Sequence, residues 1–454
     1  MENVVGYINS NRQKYVEELK NFLSIPSIST LAENKTDMNT AAQFVADKLQ
    51  LAGMENVKVI ETKGHPLVYA DWLHAPGKPT VLIYGHYDVQ PVDPIDLWDS
   101  PPFEPTIKGD KIFARGATDD KGQMYMHIKS VEAYFKTIGK LPLNVKFIIE
   151  GEEEIGSGNL DEFVNKNQEM LKCDAVMISD TSLYGPGIPT LTYGLRGLCY
   201  MEVVVTGPNR DLHSGTFGGG VDNPINVLAE MISKLKDING KIKIPGFYKD
   251  VVNLTKKERE NFKRLPFSEK QYARTLGVKE LNGEKGYSTL ERVWARPTLD
   301  CNGIFGGFTG EGAKTVLPSK ATAKISMRLV PNQDPKKIAK LFKSYITKIA
   351  PKTVKLEISD LHGAYPIATS LDDKATLAAA TALAKVFGKK TIFMREGGSI
   401  PIVVTFAKKL KASPVLMGMG LNTENLHSPN EHFDLNHFHL GILSSAHFLD
   451  EFSK

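Results

Sequence analysis

Short runs of apolar residues alternate with longer amphipathic segments over much of the chain. The runs at 81–84, 145–149 and 175–178 are bounded by turn or polar residues, which is typical of strands buried on both faces of a sheet. Segments at about 123–137 and 160–171 have apolar residues at helical spacing, as does 7–23 near the N-terminus. This alternation predicts an α/β domain built on a mostly parallel sheet.

The pattern changes near residue 198, where a second domain is predicted. Strands are predicted at 198–205, 321–330 and 354–358. Asn223-Pro224 and Asp334-Pro335 each place a capping residue before a proline, which marks the start of a helix. Two helices with flanking strands predict a smaller α+β domain of ferredoxin-like arrangement. A charged stretch at 249–285 is predicted to be a helical insertion.

A chain of 454 residues exceeds the length at which one core keeps growing, so two domains are expected. The predicted larger domain comprises 1–195 and 364–454. The predicted inserted domain comprises 196–363.

Composition and charge narrow the class of partner. The chain is 41% hydrophobic and 24% charged, with a net charge of +4 from 56 basic and 52 acidic residues. This near balance argues against nucleic acid or an anionic membrane as the main partner. No apolar run approaches the roughly 20 residues that span a bilayer.

The cysteines and the N-terminus predict the compartment. Cys173, Cys199 and Cys301 are far apart and lack metal-binding spacing, which fits a reducing environment. The N-terminus lacks the basic and then apolar pattern of a signal peptide. We therefore expect a cytoplasmic protein.

Histidine and acidic residues follow the three buried strands named first. His86 and Asp88 follow the first strand, Glu153 and Glu154 the second, and Asp180 the third. Because ligands bind at the carboxyl ends of parallel strands, we expect these side chains to converge. In extended backbone His86 and Asp88 point to the same side, so Asp88 can orient the His86 ring while that ring binds a metal.

Asp119 and His427, in two further loops, complete a candidate metal site. Histidines and carboxylates without cysteine suit zinc or manganese and favour a catalytic site. Two divalent ions would balance three carboxylates and a hydroxide, and this neutrality favours two ions in a buried cluster. One ion could take His86 and Asp180, and the other Glu154 and His427, with one carboxylate bridging.

Each of these residues also has an ordinary explanation. The acidic run at 152–154 could be a solvated turn, Asp119-Asp120 could cap a helix, and His427 could be a surface histidine. The two-ion interpretation is favoured because all of these groups follow strands of one predicted sheet. Asp88 and Glu153 then remain for orientation and for the proton transfer that hydrolysis requires.

Four motifs give the chain a resemblance to a known family. They are YGHYDVQP at 84–91, RGATDDKG at 115–122, EEIGS at 153–157 and HSPNE at 427–431. In this order they resemble the metal-site motifs of the metallopeptidases that include carnosinase-like dipeptidases, aminoacylases and succinyl-diaminopimelate desuccinylases. The resemblance runs over nearly the whole chain.

The resemblance implies a role for each residue of the site. Asp119 bridges the two ions, Asp88 orients His86, and Glu153 is the general base. A cis peptide is implied between Asp119 and Asp120. The implied metal ligands are His86, Asp119, Glu154, Asp180 and His427.

Further motifs are most similar to those of the carnosinase-like dipeptidases: YGLRG at 193–197, AKTV at 313–316, MRLVP at 327–331 and REGGSIP at 395–401. The likeness implies a homodimer formed through the inserted domain, which also serves as a lid. It implies that His213 reaches the partner's active site and polarises the scissile carbonyl. Arg328 matches the arginine that binds the substrate carboxylate. Thr315, His362 and Ser399 are predicted to contact substrate as well.

The predicted function is that of a two-metal exopeptidase, which cleaves dipeptides with a free C-terminal carboxylate by means of a metal-bridging water activated by Glu153. Zinc is the expected metal, with manganese as the alternative. An N-acyl amino acid hydrolase is the alternative function, because it also attacks an amide beside a free carboxylate. A two-metal phosphoesterase would require more histidines near the metals, and a binding protein without catalysis would not require the complete set of residues.

Overall fold

The computed structural model describes residues 1–398 and 400–454. The chain forms two compact units. The larger unit comprises Met1–Tyr193, Thr369–Met394 and Pro401–Lys454, and the smaller unit comprises Gly194–Ala368 and Arg395–Ile400.

The helices and strands are numbered in chain order. The α-helices are α1 (Glu2–Ser10), α2 (Arg12–Leu23), α3 (Lys35–Ala52), α4 (Lys121–Ile138), α5 (Gly158–Lys166), α6 (Gln168–Leu171), α7 (Ser214–Phe217), α8 (Pro224–Ser233), α9 (Lys256–Arg264), α10 (Glu269–Thr275), α11 (Thr289–Ala295), α12 (Pro335–Ile349), α13 (Lys374–Phe387), α14 (Pro401–Lys409) and α15 (Leu435–Phe452). The strands are β1 (Glu55–Ile60), β2 (Leu67–Trp72), β3 (Thr80–His86), β4 (Thr106–Lys108), β5 (Lys111–Phe113), β6 (Asn144–Glu150), β7 (Ala175–Ile178), β8 (Ser182–Leu183), β9 (Thr190–Leu195), β10 (Gly197–Thr206), β11 (Leu212–His213), β12 (Thr298–Gly306), β13 (Val316–Leu317), β14 (Lys320–Leu329), β15 (Lys355–Ala364), β16 (Ile367–Ala368), β17 (Ile392–Glu396), β18 (Ser413–Leu416), β19 (Gly420–Leu421) and β20 (His432–Asp434).

The main sheet of the larger unit has the strand order β1-β2-β6-β3-β7-β18-β9. Its centre, β6-β3-β7-β18, is parallel, whereas β1-β2, β2-β6 and β18-β9 pair antiparallel. The α/β class is therefore confirmed. The expectation of a mostly parallel sheet holds only for the central strands, and the sheet as a whole is mixed.

Helix α4 is central to the larger unit. It begins directly after Asp120, packs against α1, α3, α15 and β3, and is buried along most of its length. It ends at Gly139, whose φ of 74° is a left-handed conformation that glycine adopts without strain. Because α4 is packed on several sides, it fixes the carboxyl end of the loop that precedes it.

The predicted N-terminal helix at 7–23 is two helices. The helix is interrupted at Asn11, where φ is −106° and ψ is 11°. The Asn11 side chain donates a hydrogen bond to the Tyr7 carbonyl at 2.8 Å. Asparagine competes with the helix for backbone hydrogen bonds in this way, although the apolar spacing continues across the break.

The smaller unit contains an antiparallel sheet of order β12-β14-β10-β15, with α8 and α12 packed against it. Side chains of β10 alternate between buried and half-buried, as expected when one face of a sheet is covered by helices. The chain order β10-α8-β12-β14-α12-β15 is that of a ferredoxin-like fold. The charged stretch contains the helices α9 and α10, as predicted, and these directly follow the capping residues Thr255 and Ser268.

None of the helices in the described part of the chain is both long and apolar enough to cross a membrane.

Candidate metal centre

The parallel centre of the main sheet brings the predicted residues to one edge. His86 is the last residue of β3 and pairs in register with Glu150, the last residue of β6. Tyr84 of β3 pairs with Ile178, the last residue of β7. The turn that carries Glu153 and Glu154 and the loop that carries Asp180 therefore leave the sheet beside His86.

His86 is fully buried, and its two ring nitrogens face different partners. Nδ1 lies 3.1 Å from the backbone oxygen of Asp88 and 3.3 Å from its Oδ1. In the neutral ring the nitrogen that faces a carbonyl oxygen carries the proton, so Nε2 is then the nitrogen with a free lone pair. Nε2 lies 3.2 Å from Asp119 Oδ1 but makes no hydrogen bond. A buried, unbonded ring nitrogen aimed at a carboxylate is suited to a metal ion.

Asp88 has a second contact that the sequence did not indicate. Its carboxylate accepts hydrogen bonds from the backbone N–H groups of Glu153 at 3.2 Å and Glu154 at 3.1 Å. One buried carboxylate thus fixes both the His86 ring and the start of the acidic turn. Gln90, also not singled out, donates to Glu154 Oε2 at 2.8 Å, and its place in the motif at 84–91 was the available signal.

Two groups of side chains in the described residues can each hold a metal ion. One is His86, Asp119 and Asp180, and the other is Asp119, Glu154 and His427; within each group the ligand atoms lie within 4.8 Å of one another. Asp119 belongs to both groups. His427 Nε2 lies 2.9 Å from Asp119 Oδ2 and 3.3 Å from Glu154 Oε2. The structure thus brings together the whole predicted ligand set.

The protonation of these groups shows how strongly the cluster favours positive charge. Hydrogen bonds with Asp119 and Glu154 raise the pKa of His427 to about 11. Burial lowers the pKa of His86, but its contacts with Asp119 and Asp88 outweigh this and raise it well above its ordinary value. Burial and the charge of Asp119 raise the pKa of Asp180 to about 7. These shifts show that the cluster holds protons in order to offset its clustered carboxylates, and its carboxylate oxygens and imidazole nitrogens are ligands that divalent cations use.

Glu153 lies in the same 3₁₀ turn as Glu154 but belongs to neither ligand group. Burial raises the pKa of Glu153 well above its ordinary value, and the charges of Asp180, Glu154 and Asp119 add to this while His86 opposes it. A carboxyl group with a raised pKa is a stronger base when it is ionised than an ordinary glutamate, which suits a residue that accepts and returns a proton during a reaction.

The ordinary explanations for the acidic residues do not fit the geometry. Asp120, not Asp119, occupies the N-cap position of α4, and its side chain makes no capping bond. Its Oδ2 instead accepts from the His86 backbone N–H at 3.2 Å. The peptide between Asp119 and Asp120 is cis, as the family resemblance implied.

In the smaller unit, His213 and Thr315 are neighbours. His213 is exposed and pairs with Val316 across the β11-β13 ladder, and the Ser214 N–H donates to the Thr315 carbonyl at 3.0 Å. The Gly215 N–H donates to His213 Nδ1 at 3.1 Å. In the neutral ring Nδ1 is then the unprotonated nitrogen, so Nε2 carries a proton that it can donate.

Arg328 and His362 lie on the face of the smaller unit's sheet opposite α8 and α12. Arg328 pairs with Leu198 of β10, and His362 pairs with Tyr200, two residues further along the same strand, with ring centroids 5.2 Å apart. Burial lowers the pKa of Arg328. Ser399, predicted to contact substrate, lies outside the described residues.

The chain is similar to known peptidases in sequence and in structure. Residues 82–451 match the sequence profile of Peptidase family M20/M25/M40. The chain is 35% identical over 470 residues to the Cys-Gly metallodipeptidase dug1 of Schizosaccharomyces pombe, covering 100% of this chain and 98% of the relative. It is 33% identical over 448 residues to the Beta-Ala-His dipeptidase of Homo sapiens, covering 95% and 88%.

A solved structure matches the fold over nearly the full length. The M20 family metallo-carboxypeptidase Sso-CP2 from Sulfolobus solfataricus superposes with a TM-score of 0.85 at 36% sequence identity. The match covers 97% of this chain and 99% of that one.

Proposed function

The chain belongs to Peptidase family M20/M25/M40, and from this premise we propose that it is a two-metal dipeptidase that requires a free C-terminal carboxylate on its substrate. The observation that carries the proposal is Asp119, which lies in both ligand groups, beside the carboxyl group of Glu153. Two cations that share a carboxylate next to a proton acceptor can activate a water and polarise the carbonyl group of an amide for hydrolysis.

The donor atoms suit zinc, and manganese is the alternative. We propose that His86, Asp119 and Asp180 would hold one ion and that Asp119, Glu154 and His427 would hold the other, so that Asp119 would serve both. When bound, such ions polarise a carbonyl group and lower the pKa of water. The unbonded Nε2 of buried His86 supports the assignment, because a buried polar atom without a partner is costly.

Glu153 is assigned the proton transfer. It would accept the proton of the attacking water and pass it to the leaving amine. Asp88 would hold Glu153 in place through the backbone hydrogen bond it accepts, and the same carboxylate would hold His86. The position of Glu153 beside both ligand groups but within neither supports this division of roles.

His213 is assigned to the active site of the partner in a homodimer formed through the smaller unit. Its exposed Nε2–H could donate to the oxygen of the scissile carbonyl, where negative charge develops. The exposed apolar residues Ile304 and Phe305 on edge strand β12 support such an interface, because proteins usually cover apolar strand edges. The unpaired cysteines support a reducing compartment, and we propose the cytoplasm.

The substrate carboxylate is assigned to Arg328, with Thr315, His362 and Ser399 as further substrate contacts. A carboxylate that enters a site closed to water needs a partner, because an unpaired buried charge is costly. The planar fork of arginine offers two parallel hydrogen bonds. Two of the relatives are named as dipeptidases and one as a carboxypeptidase. These names fit cleavage of the peptide bond next to a free C-terminus.

Arg328→Lys is expected to lower kcat/KM toward free dipeptides at least tenfold, about 1.4 kcal/mol, because lysine keeps the charge but loses the fork. Cleavage of the same dipeptides with amidated C-termini, already slow in the wild type, should hardly change. Steady-state kinetics on Cys-Gly and its amide would measure both effects.

Arg296→Lys is the matched control. Arg296 donates two hydrogen bonds to Glu284, at 2.8 Å and 2.7 Å, so the substitution also breaks a fork. It should affect both substrates alike. If Arg328→Lys also slowed both substrates alike, Arg328 would not bind the carboxylate and the exopeptidase assignment would lose its main support.

A further inference from the structure

Glu431 is a buried carboxylate that binds the loop carrying Asp119. Its Oε2 accepts from Arg115 Nη1 at 2.7 Å and from the Gly116 N–H at 2.9 Å. Its Oε1 accepts from the N–H groups of Thr118 at 3.1 Å and Asp119 at 3.2 Å. Only 1% of Glu431 is exposed. All four donors belong to residues 115–119, so this side chain fixes the backbone that presents the bridging ligand.

Glu424 makes a second tie to the same loop. Its Oε2 accepts from Thr118 Oγ1 at 2.8 Å and from the Leu421 N–H at 2.8 Å, and its Oε1 accepts from the Asp434 N–H at 3.1 Å. Glu424 and Glu431 stand at the two ends of the segment 424–431, which carries His427. Thr118, next to Asp119, is therefore held from both ends of the His427 segment.

The segment 424–431 needs such ties because its backbone is strained. Asn425, His427 and Asn430 have φ values of 57°, 58° and 62°. Residues other than glycine adopt this left-handed region at a cost, and they remain there only when surrounding contacts hold them. The 2.9 Å separation of His427 Nε2 from Asp119 Oδ2 thus depends on contacts from outside the segment.

We propose that Glu431 is a positioning residue that sets the distance between the His427 and Asp119 loops, and so the affinity of the cation held by Asp119, Glu154 and His427. The inference rests on the proposed two-metal function. The other cation would depend less on Glu431, because His86 ends β3 and Asp180 closely follows β7 in the parallel centre of the sheet. Loss of Glu431 should therefore weaken the binding of one ion more than that of the other.

Glu431→Gln is the most direct variant. Both oxygens of Glu431 accept two hydrogen bonds, so an amide NH₂ in either position would face two donors. Arg115, itself 1% exposed, would also lose its counter-charge. The substitution hardly changes the volume of the side chain, but it replaces a hydrogen-bond acceptor with a donor and so weakens the contacts between the two loops.

Glu132→Gln provides a matched control. Glu132 is also a buried carboxylate, and it accepts from Lys129 at 2.5 Å and Lys14 at 2.9 Å. Glu132 and Lys129 lie on α4 and Lys14 lies on α2, so these hydrogen bonds involve none of the ligand loops. A variant that only destabilises the fold should behave like this control.

Metal binding is measured by competition with a zinc chelator and by metal content per subunit. The wild type should retain two zinc ions at a chelator concentration at which Glu431→Gln retains one, with at least tenfold weaker binding of the lost ion, a typical cost for loss of a partner behind the ligands. The visible absorption of the cobalt-substituted variant should also change. Glu132→Gln should keep both ions and the wild-type spectrum, whatever its melting temperature.

The outcomes separate the inference from the function on which it rests. A wild type that binds fewer than two ions would contradict the two-metal function itself. A wild type with two ions and a Glu431→Gln variant with unchanged affinity and spectrum would overturn the inference alone. If Glu431→Gln does not fold, Arg115→Lys, which replaces the guanidinium that donates to Glu431 but keeps its charge, should shift affinity in the same direction by a smaller factor. An unchanged affinity in that variant would overturn the inference.

Discussion

Glu153→Gln is expected to lower the turnover of dipeptides by at least about 100-fold while both metal ions remain bound. Glutamine keeps the size of glutamate and most of its hydrogen bonds, but it cannot accept a proton from water. A positioned general base commonly contributes a factor of about 10² to 10⁴. The measurement is kcat on a free dipeptide, together with metal content per subunit in the same preparation.

Glu154→Gln is the control, because it makes the same chemical change one residue away. Glu154 belongs to the group with Asp119 and His427, whereas Glu153 belongs to neither group. We expect Glu154→Gln to lose an ion and Glu153→Gln to keep both. Loss of metal from Glu153→Gln would mean that the two roles are exchanged.

His213→Ala is expected to lower turnover by about 10² to 10³, the usual cost of removing one donor to a developing oxyanion. If His213 works in the partner's site, this variant should regain activity when it is mixed and refolded with inactive Glu153→Gln. The Glu153→Gln subunit would supply His213 to the intact Glu153 of the other. Random pairing into symmetric dimers would restore about one quarter of wild-type activity.

Native mass spectrometry should first confirm that mixed dimers form. Mixed dimers without activity would place His213 in the site of its own subunit or outside catalysis. His213→Ala and Glu153→Gln, each refolded alone, would give the activity that remains without mixed dimers.

The carboxyl ends of the central strands were predictable from sequence because local signals mark them. The runs at 81–84, 145–149 and 175–178 are apolar throughout, and acids or histidine follow each one closely. Parallel strands in register then bring His86, Glu153 and Asp180 to one edge. The direction of β2 relative to the central strands was not predictable, because an apolar run has the same pattern in either orientation.

The other features that the sequence did not predict depend on local competition for backbone hydrogen bonds or on contacts between residues far apart in the chain. The break at Asn11 depends on one side chain that bonds to the Tyr7 carbonyl, and this leaves the apolar spacing unchanged. Glu431 contacts residues more than 300 positions away in sequence, so its role follows from the folded chain and not from its neighbours. The second contact of Asp88, with the turn at 153–154, escaped prediction for the same reason.

The most direct test of the central claim is a metal titration of activity. Protein stripped of metal is titrated with zinc, and in parallel with manganese, while hydrolysis of a free dipeptide and of an N-acetyl amino acid is followed. We predict that activity is lost on stripping, returns to a plateau at two ions per subunit, one for each ligand group, and is greater on the dipeptide. Full activity without metal, a plateau at one ion, or faster hydrolysis of the N-acetyl amino acid would contradict the account.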